Sequence, residues 1–116
     1  MKKFAMTRDI NGYNGFGLPF ADNKYDTALL VGVEQTLTVP NSPFADYPNV
    51  LAIFSFAPGS SIWVALNETA TVPGASFAST DSELNPAARW CKAGDVLHFI
   101  SNDAVDEVGV IFYACQ

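Results

Sequence analysis

Val50-Leu51-Ala52-Ile53-Phe54-Ser55-Phe56 runs directly into Ala57-Pro58-Gly59-Ser60-Ser61, and this stretch decides the fold class. The apolar run is strand-sized, and Pro58-Gly59 ends it with a residue of fixed φ followed by one that tolerates positive φ. Its apolar residues fall on both faces, Val50, Ala52, Phe54 and Phe56 against Leu51 and Ile53. A strand of that kind is covered on two sides.

The same rhythm continues in both directions. Strands are expected at Thr27–Val31, Gln35–Val39, Ser61–Asn67, Ala75–Ala78, Ala88–Lys92, Val96–Ser101 and Glu107–Ala114. Turn signals stand at Pro40-Asn41-Ser42-Pro43, Pro73-Gly74, Ala93-Gly94-Asp95 and Ser101-Asn102-Asp103. About eight short strands in roughly 90 residues imply one all-β domain, a β-sandwich or jelly roll. The only hint of helix is a single turn at Thr80–Leu84, and no internal repeat is present.

Residues 1–26 read as an extended N-terminal arm, and residues 27–116 as the sandwich. Asn11-Gly12-Tyr13-Asn14-Gly15-Phe16-Gly17-Leu18-Pro19-Phe20 has turn formers and no regular period. Yet Ile10, Tyr13, Phe16, Leu18, Phe20 and Tyr25 make it too apolar for a solvated linker, so the arm is expected to dock.

The 116 residues carry 6 Lys+Arg against 12 Asp+Glu, and only 16% are charged, below the ~25% of an ordinary soluble domain. Lys2, Lys3, Arg8 and Lys24 nearly balance the arm's aspartates, whereas the body offers only Arg89 and Lys92. No basic stripe exists to neutralise phosphates, so nucleic-acid binding is not expected. The longest apolar run falls far short of the ~20 residues of a membrane helix, and Arg8-Asp9 interrupt the N-terminus before a signal-peptide core could form. Neither a membrane partner nor export is expected, and Cys91 and Cys115 read as free thiols.

Face parity raises the question of a second cover. In Glu107–Ala114, Val108, Val110 and Phe112 oppose Ile111 and Tyr113, so this strand too is apolar on both sides. A two-layer sandwich covers one side only. Self-association is the economical cover, with the arm as runner-up, and Ile53, Phe54, Ile111 and Tyr113 are the interface candidates.

Residues that carry chemistry are sparse. His98 is the only histidine, which removes multi-histidine metal sites and reads as a hydrogen-bonded strand residue. Gly59-Ser60-Ser61 lacks the strand-to-helix elbow of a serine nucleophile. Asp81-Ser82-Glu83 and Asp103-Ala104-Val105-Asp106-Glu107 do not follow the EF-hand spacing and read as solvated turns. No catalytic residue, metal site or cofactor is expected. Trp63 and Trp90 read as core or interface anchors or, in the alternative reading, as a sugar-stacking platform.

The segments Thr7-Arg8-Asp9-Ile10-Asn11-Gly12, Phe16-Gly17-Leu18-Pro19-Phe20, Trp63-Val64-Ala65-Leu66-Asn67, Ser82-Glu83-Leu84-Asn85-Pro86 and Lys92-Ala93-Gly94-Asp95-Val96-Leu97 together resemble small virion structural proteins of tailed bacteriophages, over nearly the whole chain. The resemblance implies a β-rich, often trimeric capsid decoration or cement protein, assembled in the host cytoplasm onto the outside of the head. The implied partners are the major capsid protein and further copies of the chain. Arg8, Tyr13, Phe16, Leu18 and Phe20 are then the arm residues expected to contact the shell. The alternative is a carbohydrate- or receptor-binding sandwich of a head fibre or tail tip.

Overall fold

The computed structural model describes residues 1–6, 10–12, 15, 17–74, 77, 79–103 and 106–116. Among these the chain is all-β, with nine strands in two sheets. They are β1 (Lys2–Lys3), β2 (Asn23–Leu29), β3 (Gln35–Thr38), β4 (Asn49–Phe56), β5 (Trp63–Leu66), β6 (Ser82–Leu84), β7 (Ala88–Cys91), β8 (Val96–Ile100) and β9 (Asp106–Cys115). The larger sheet centres on β9, which pairs with β4 on one side and with β1 and β2 on the other, while β7 lies beyond β4. The smaller sheet has the order β3-β8-β5-β6. This is the expected β-sandwich.

Alternation assigns the faces. Val50, Ala52 and Phe54 of β4 and Val108, Val110 and Phe112 of β9 meet Val64, Leu97 and Phe99 of the smaller sheet in the core. Phe54 and Phe99 bridge the layers edge to face, 6.2 Å between centroids, a geometry the ring quadrupoles favour. At one lateral edge Arg89 of β7 grips Glu83 of β6 with two bonds, Nε to Oε2 at 2.7 Å and Nη2 to Oε1 at 3.3 Å. The guanidinium holds the Glu83 carboxyl below its ordinary value of 4.5.

The corners are set by side chains that satisfy backbone groups. Asn85 takes a positive φ of 45°, which asparagine tolerates. Its Oδ1 accepts from Ile62 N–H and its Nδ2 donates to the Ser60 carbonyl, joining the β4–β5 turn to the β6–β7 corner. Gly94, at φ 85°, makes the turn before β8 and donates its N–H to the Val39 carbonyl.

Three expectations change. The hint of a helical turn at Thr80–Leu84 is overturned: Ser82–Leu84 is a strand, held by Ala65, Val64 and Trp63 opposite it. The arm boundary moves as well. β2 begins at Asn23, opposite Phe112, and Lys2–Lys3 pair in parallel with Tyr113–Ala114. The segment that reads as an arm is therefore anchored to β9 at both of its ends. Finally, Asp106 does not belong to a solvated turn: it is buried, and its Oδ2 accepts from Ser61 N–H and Ser101 Oγ–H. The expected strand at Ala75–Ala78 lies outside the described residues, Phe77 excepted.

Candidate docking surface

The outer face of the larger sheet can be built row by row from the strand register. Trp90, Leu51 and Tyr113 form one row, Ala88, Ile53, Ile111 and Lys24 the next, and Ser55, Gly109 and Asp26 the third. Apolar side chains thus occupy one half of the face. The other half is a shallow open trough lined by Asp26, Ala28, Ser55, Ala57 and Glu107. Gly109 floors it, because a Cβ there would lie 2.5 Å from Asp26 Oδ1 and 2.8 Å from Ser55 Oγ. These two side chains lie where a larger residue would stand.

Tyr113 shows what covers this face. The Phe4 ring packs edge-on against it at 5.8 Å, and its hydroxyl donates to the Pro19 carbonyl at 2.7 Å. Only 5% of Tyr113 remains accessible. Two interface candidates are therefore corrected: Tyr113 lies under the chain's own arm, and Phe54 is a core residue. Ile53 and Ile111 lie on the outer face and are half-buried. The arm does dock on its own sheet, and among the described residues its cover lies at the Tyr113 end.

The arm also displays what it does not bury. Ala21 is buried and Pro19 is tied to Tyr113, yet Phe20 between them is 93% exposed. Ile10 is fully exposed, and Leu18 is exposed as well. Arg8, Tyr13 and Phe16 lie outside the described residues. A chain pinned on either side of an outward-facing phenylalanine presents that ring rather than leaving it loose, because the backbone entropy of fixing it is already lost in the docked neighbours.

The segment that follows the Pro40–Pro43 turn, to which the sequence assigned no role, supplies a further contact. Lys3 Nζ stands 4.8 Å from the ring centroids of both Phe44 and Tyr47, and 3.2 Å from Asp46 Oδ2. Two aromatic faces and a carboxylate around one ammonium make an aromatic–acid cage. Its only sequence signal is Phe44-Ala45-Asp46-Tyr47, enclosed by prolines that drew attention to the turn.

On the smaller sheet, His98 Nδ1 lies 2.7 Å from Glu34 Oε1, while Glu34 Oε2 accepts the Ala70 N–H at 2.9 Å. Thr71 N–H donates to Ser82 Oγ. Glu34 and Ser82 thereby pin the loop between β5 and β6 against the sheet, and Ala70 is buried. The bond to His98, with a smaller contribution from Ala70, holds the Glu34 carboxyl below its ordinary 4.5 against the opposing effect of burial. A depressed folded value means that the pin is fully present above 4.5 and is lost as the pH falls through the folded value. Hydrogen exchange of the Ala70 amide should show this. Protection should drop on acidification below pH 4.5, and Glu34→Ala should lower it about tenfold at neutral pH; unchanged protection in that variant would remove Glu34 from this role.

Cys91 and Cys115 are free thiols, on strands that flank β4 and on opposite faces of the sheet, Cys91 opposite Val50 and Cys115 opposite Asn49. Burial, with the nearby Asp95 and Cys115, pushes the Cys91 thiol up to about 11. Ser60 is buried in its corner. Trp63 is half-buried on the smaller sheet, whereas Trp90 is 50% exposed, with Lys92 Nζ 5.8 Å above its ring. Among the described residues no three or more His, Cys, Asp or Glu side chains are grouped to hold a metal ion, and no helix is long and apolar enough to cross a membrane. No family model, curated protein or solved structure matches this chain.

Proposed function

We propose that this chain is a non-enzymatic structural protein of a tailed-phage virion, a decoration or cement protein that grips the major capsid protein with its arm and self-associates, as a trimer, through the Ile53 and Ile111 face. The observation that carries the reading is Phe20, held almost wholly in solvent between two docked residues. A docked Pro19–Ala21 segment that presents Phe20, with Leu18 and Ile10 exposed as well, suits an apolar clamp, since little order remains to be imposed on that segment when it binds. The acidic body suits the outward side, where the chain's net charge of −6 keeps neighbouring particles apart.

Heads stripped of the protein and titrated with wild type or with Phe20→Asp test this. The variant should lose at least tenfold in affinity for the shell, with circular dichroism unchanged because Phe20 supports nothing in the fold. Wild-type occupancy by Phe20→Asp together with Leu18→Asp, or absence of the protein from purified particles, would overturn it. The alternative, a glycan-binding sandwich, draws its support from the half-exposed Trp90 ring beside Lys92, and predicts glycan binding that disappears in Trp90→Ala.

A further inference from the structure

The first four residues occupy a slot built by the rest of the chain. Lys2 and Lys3 extend the larger sheet along Tyr113 and Ala114, and Phe4 N–H donates to the Ala114 carbonyl at 2.7 Å. Met1 packs against the core. Lys3 fills the cage of Phe44, Tyr47 and Asp46, and Phe4 lies against Tyr113. Backbone pairing, one cation and one aromatic ring together read a short extended peptide, in the manner of strand addition to an open sheet edge.

The connection from this peptide to the sandwich is far longer than the distance it spans. β1 and β2 lie end to end on the same side of β9, with Lys2 opposite Tyr113 and Asn23 opposite Phe112. A loop of a few residues would close that gap. Residues 5–18, ahead of the docked Pro19 and Ala21, instead supply about 14, which reach roughly 45 Å when extended. We propose that in the assembled protein this slot receives residues 1–4 of a neighbouring copy, so that each subunit latches the next. Exchange keeps every contact of the slot, because the incoming peptide is the same one. The balance between self-latching and exchange is then set by the effective concentration that the tether allows. The inference rests on the self-association proposed above and names the segment that is exchanged; it does not depend on what the arm's outward face grips.

Charge reversal in the full-length chain tests it. Lys3→Asp breaks the latch from one side and Asp46→Lys from the other, so each variant alone should associate at least ten times more weakly than wild type. Mixed, they should form heteromers, since Lys3 of the Asp46→Lys chain fits the slot of the Lys3→Asp chain and the reversed pair fits in return. Native mass spectrometry with one partner isotope-labelled counts these heteromers. The double variant Lys3→Asp/Asp46→Lys restores the ion pair within one sequence but not the cation on the Phe44 and Tyr47 rings, so it should keep wild-type circular dichroism and regain part of the association lost in either single variant. If the mixture shows no heteromer preference while wild type still oligomerises, exchange is overturned and self-association survives. If wild type is monomeric at about 100 μM, both are overturned.

Discussion

Phe112→Ala will lower the unfolding free energy by about 3–5 kcal/mol, enough to bring the melting temperature down by more than about 10 °C. Phe112 is fully buried in the central strand of the larger sheet, with β2 on one side and β4 on the other. Tyr25 meets it edge-on at 5.8 Å, and its strand partners are Ala52 and Asn23. Small side chains on either side cannot swing in to fill the space, so a cavity should remain, and cavities that do not collapse sit at the upper end of the range. The control is its sequence neighbour. Ile111 points to the outer face and is half-buried, so Ile111→Ala should cost less than half as much when measured by chemical denaturation at low protein concentration. Equal losses would mean that the assignment of faces along β9 is mistaken.

That contrast between adjacent residues also marks where the sequence was readable. Alternation in Val50–Phe56 and Glu107–Ala114 announced two strands apolar on both sides, and these are β4 and β9, side by side at the middle of the larger sheet. The sequence could not announce which covering each face receives. Phe54 and Ile53 are equally apolar, and only the register that sets Phe54 toward Phe99 separates core from outer face. The missed strands fail for a different reason. Lys2–Lys3 has no hydrophobic pattern at all, because its place is fixed by hydrogen bonds to β9 and by the cage around Lys3, both remote in sequence. Ser82–Leu84 follows an aspartate and looks like a capped turn, but pairing with β5 overrides that local preference. Asn23-Lys24-Tyr25-Asp26 read as arm because β2 is an edge strand, exposed at Lys24–Ala28; a polar edge is a common device against unwanted strand pairing. The Lys3 cage was illegible for the same reason as β1, since its parts are some forty residues apart and no local period connects them.

Asp106→Ala is the second large loss to expect, about 2–4 kcal/mol, even though it removes only one small polar group. Asp106 opens β9 opposite Leu29 and is buried. Its Oδ2 accepts Ser61 N–H at 3.1 Å and Ser101 Oγ–H at 2.5 Å. Ser101 is itself fully buried; its Oγ accepts Asp103 N–H, and its carbonyl accepts Gly32 N–H at 2.7 Å. One carboxylate therefore connects the β4–β5 turn to the β8–β9 turn, and through Ser101 to the β2–β3 turn at the same end of the sandwich. Alanine would leave the Ser61 amide and the fully buried Ser101 hydroxyl without their acceptor, and for the hydroxyl the cost of an orphaned buried donor exceeds the net value of the bond that was lost. The Asp106→Asn variant keeps one acceptor oxygen in a side chain of the same shape, so it should lose only about half as much. Ser101→Ala removes the hydroxyl together with its need for a partner, and combined with Asp106→Ala it should cost clearly less than the sum of the two single changes. A coupling of about 1 kcal/mol or more in that double-mutant cycle is the expected result. Additive losses, with Ser61 amide exchange no faster in Asp106→Ala than in wild type, would show that the three turns are held at this end by backbone packing alone.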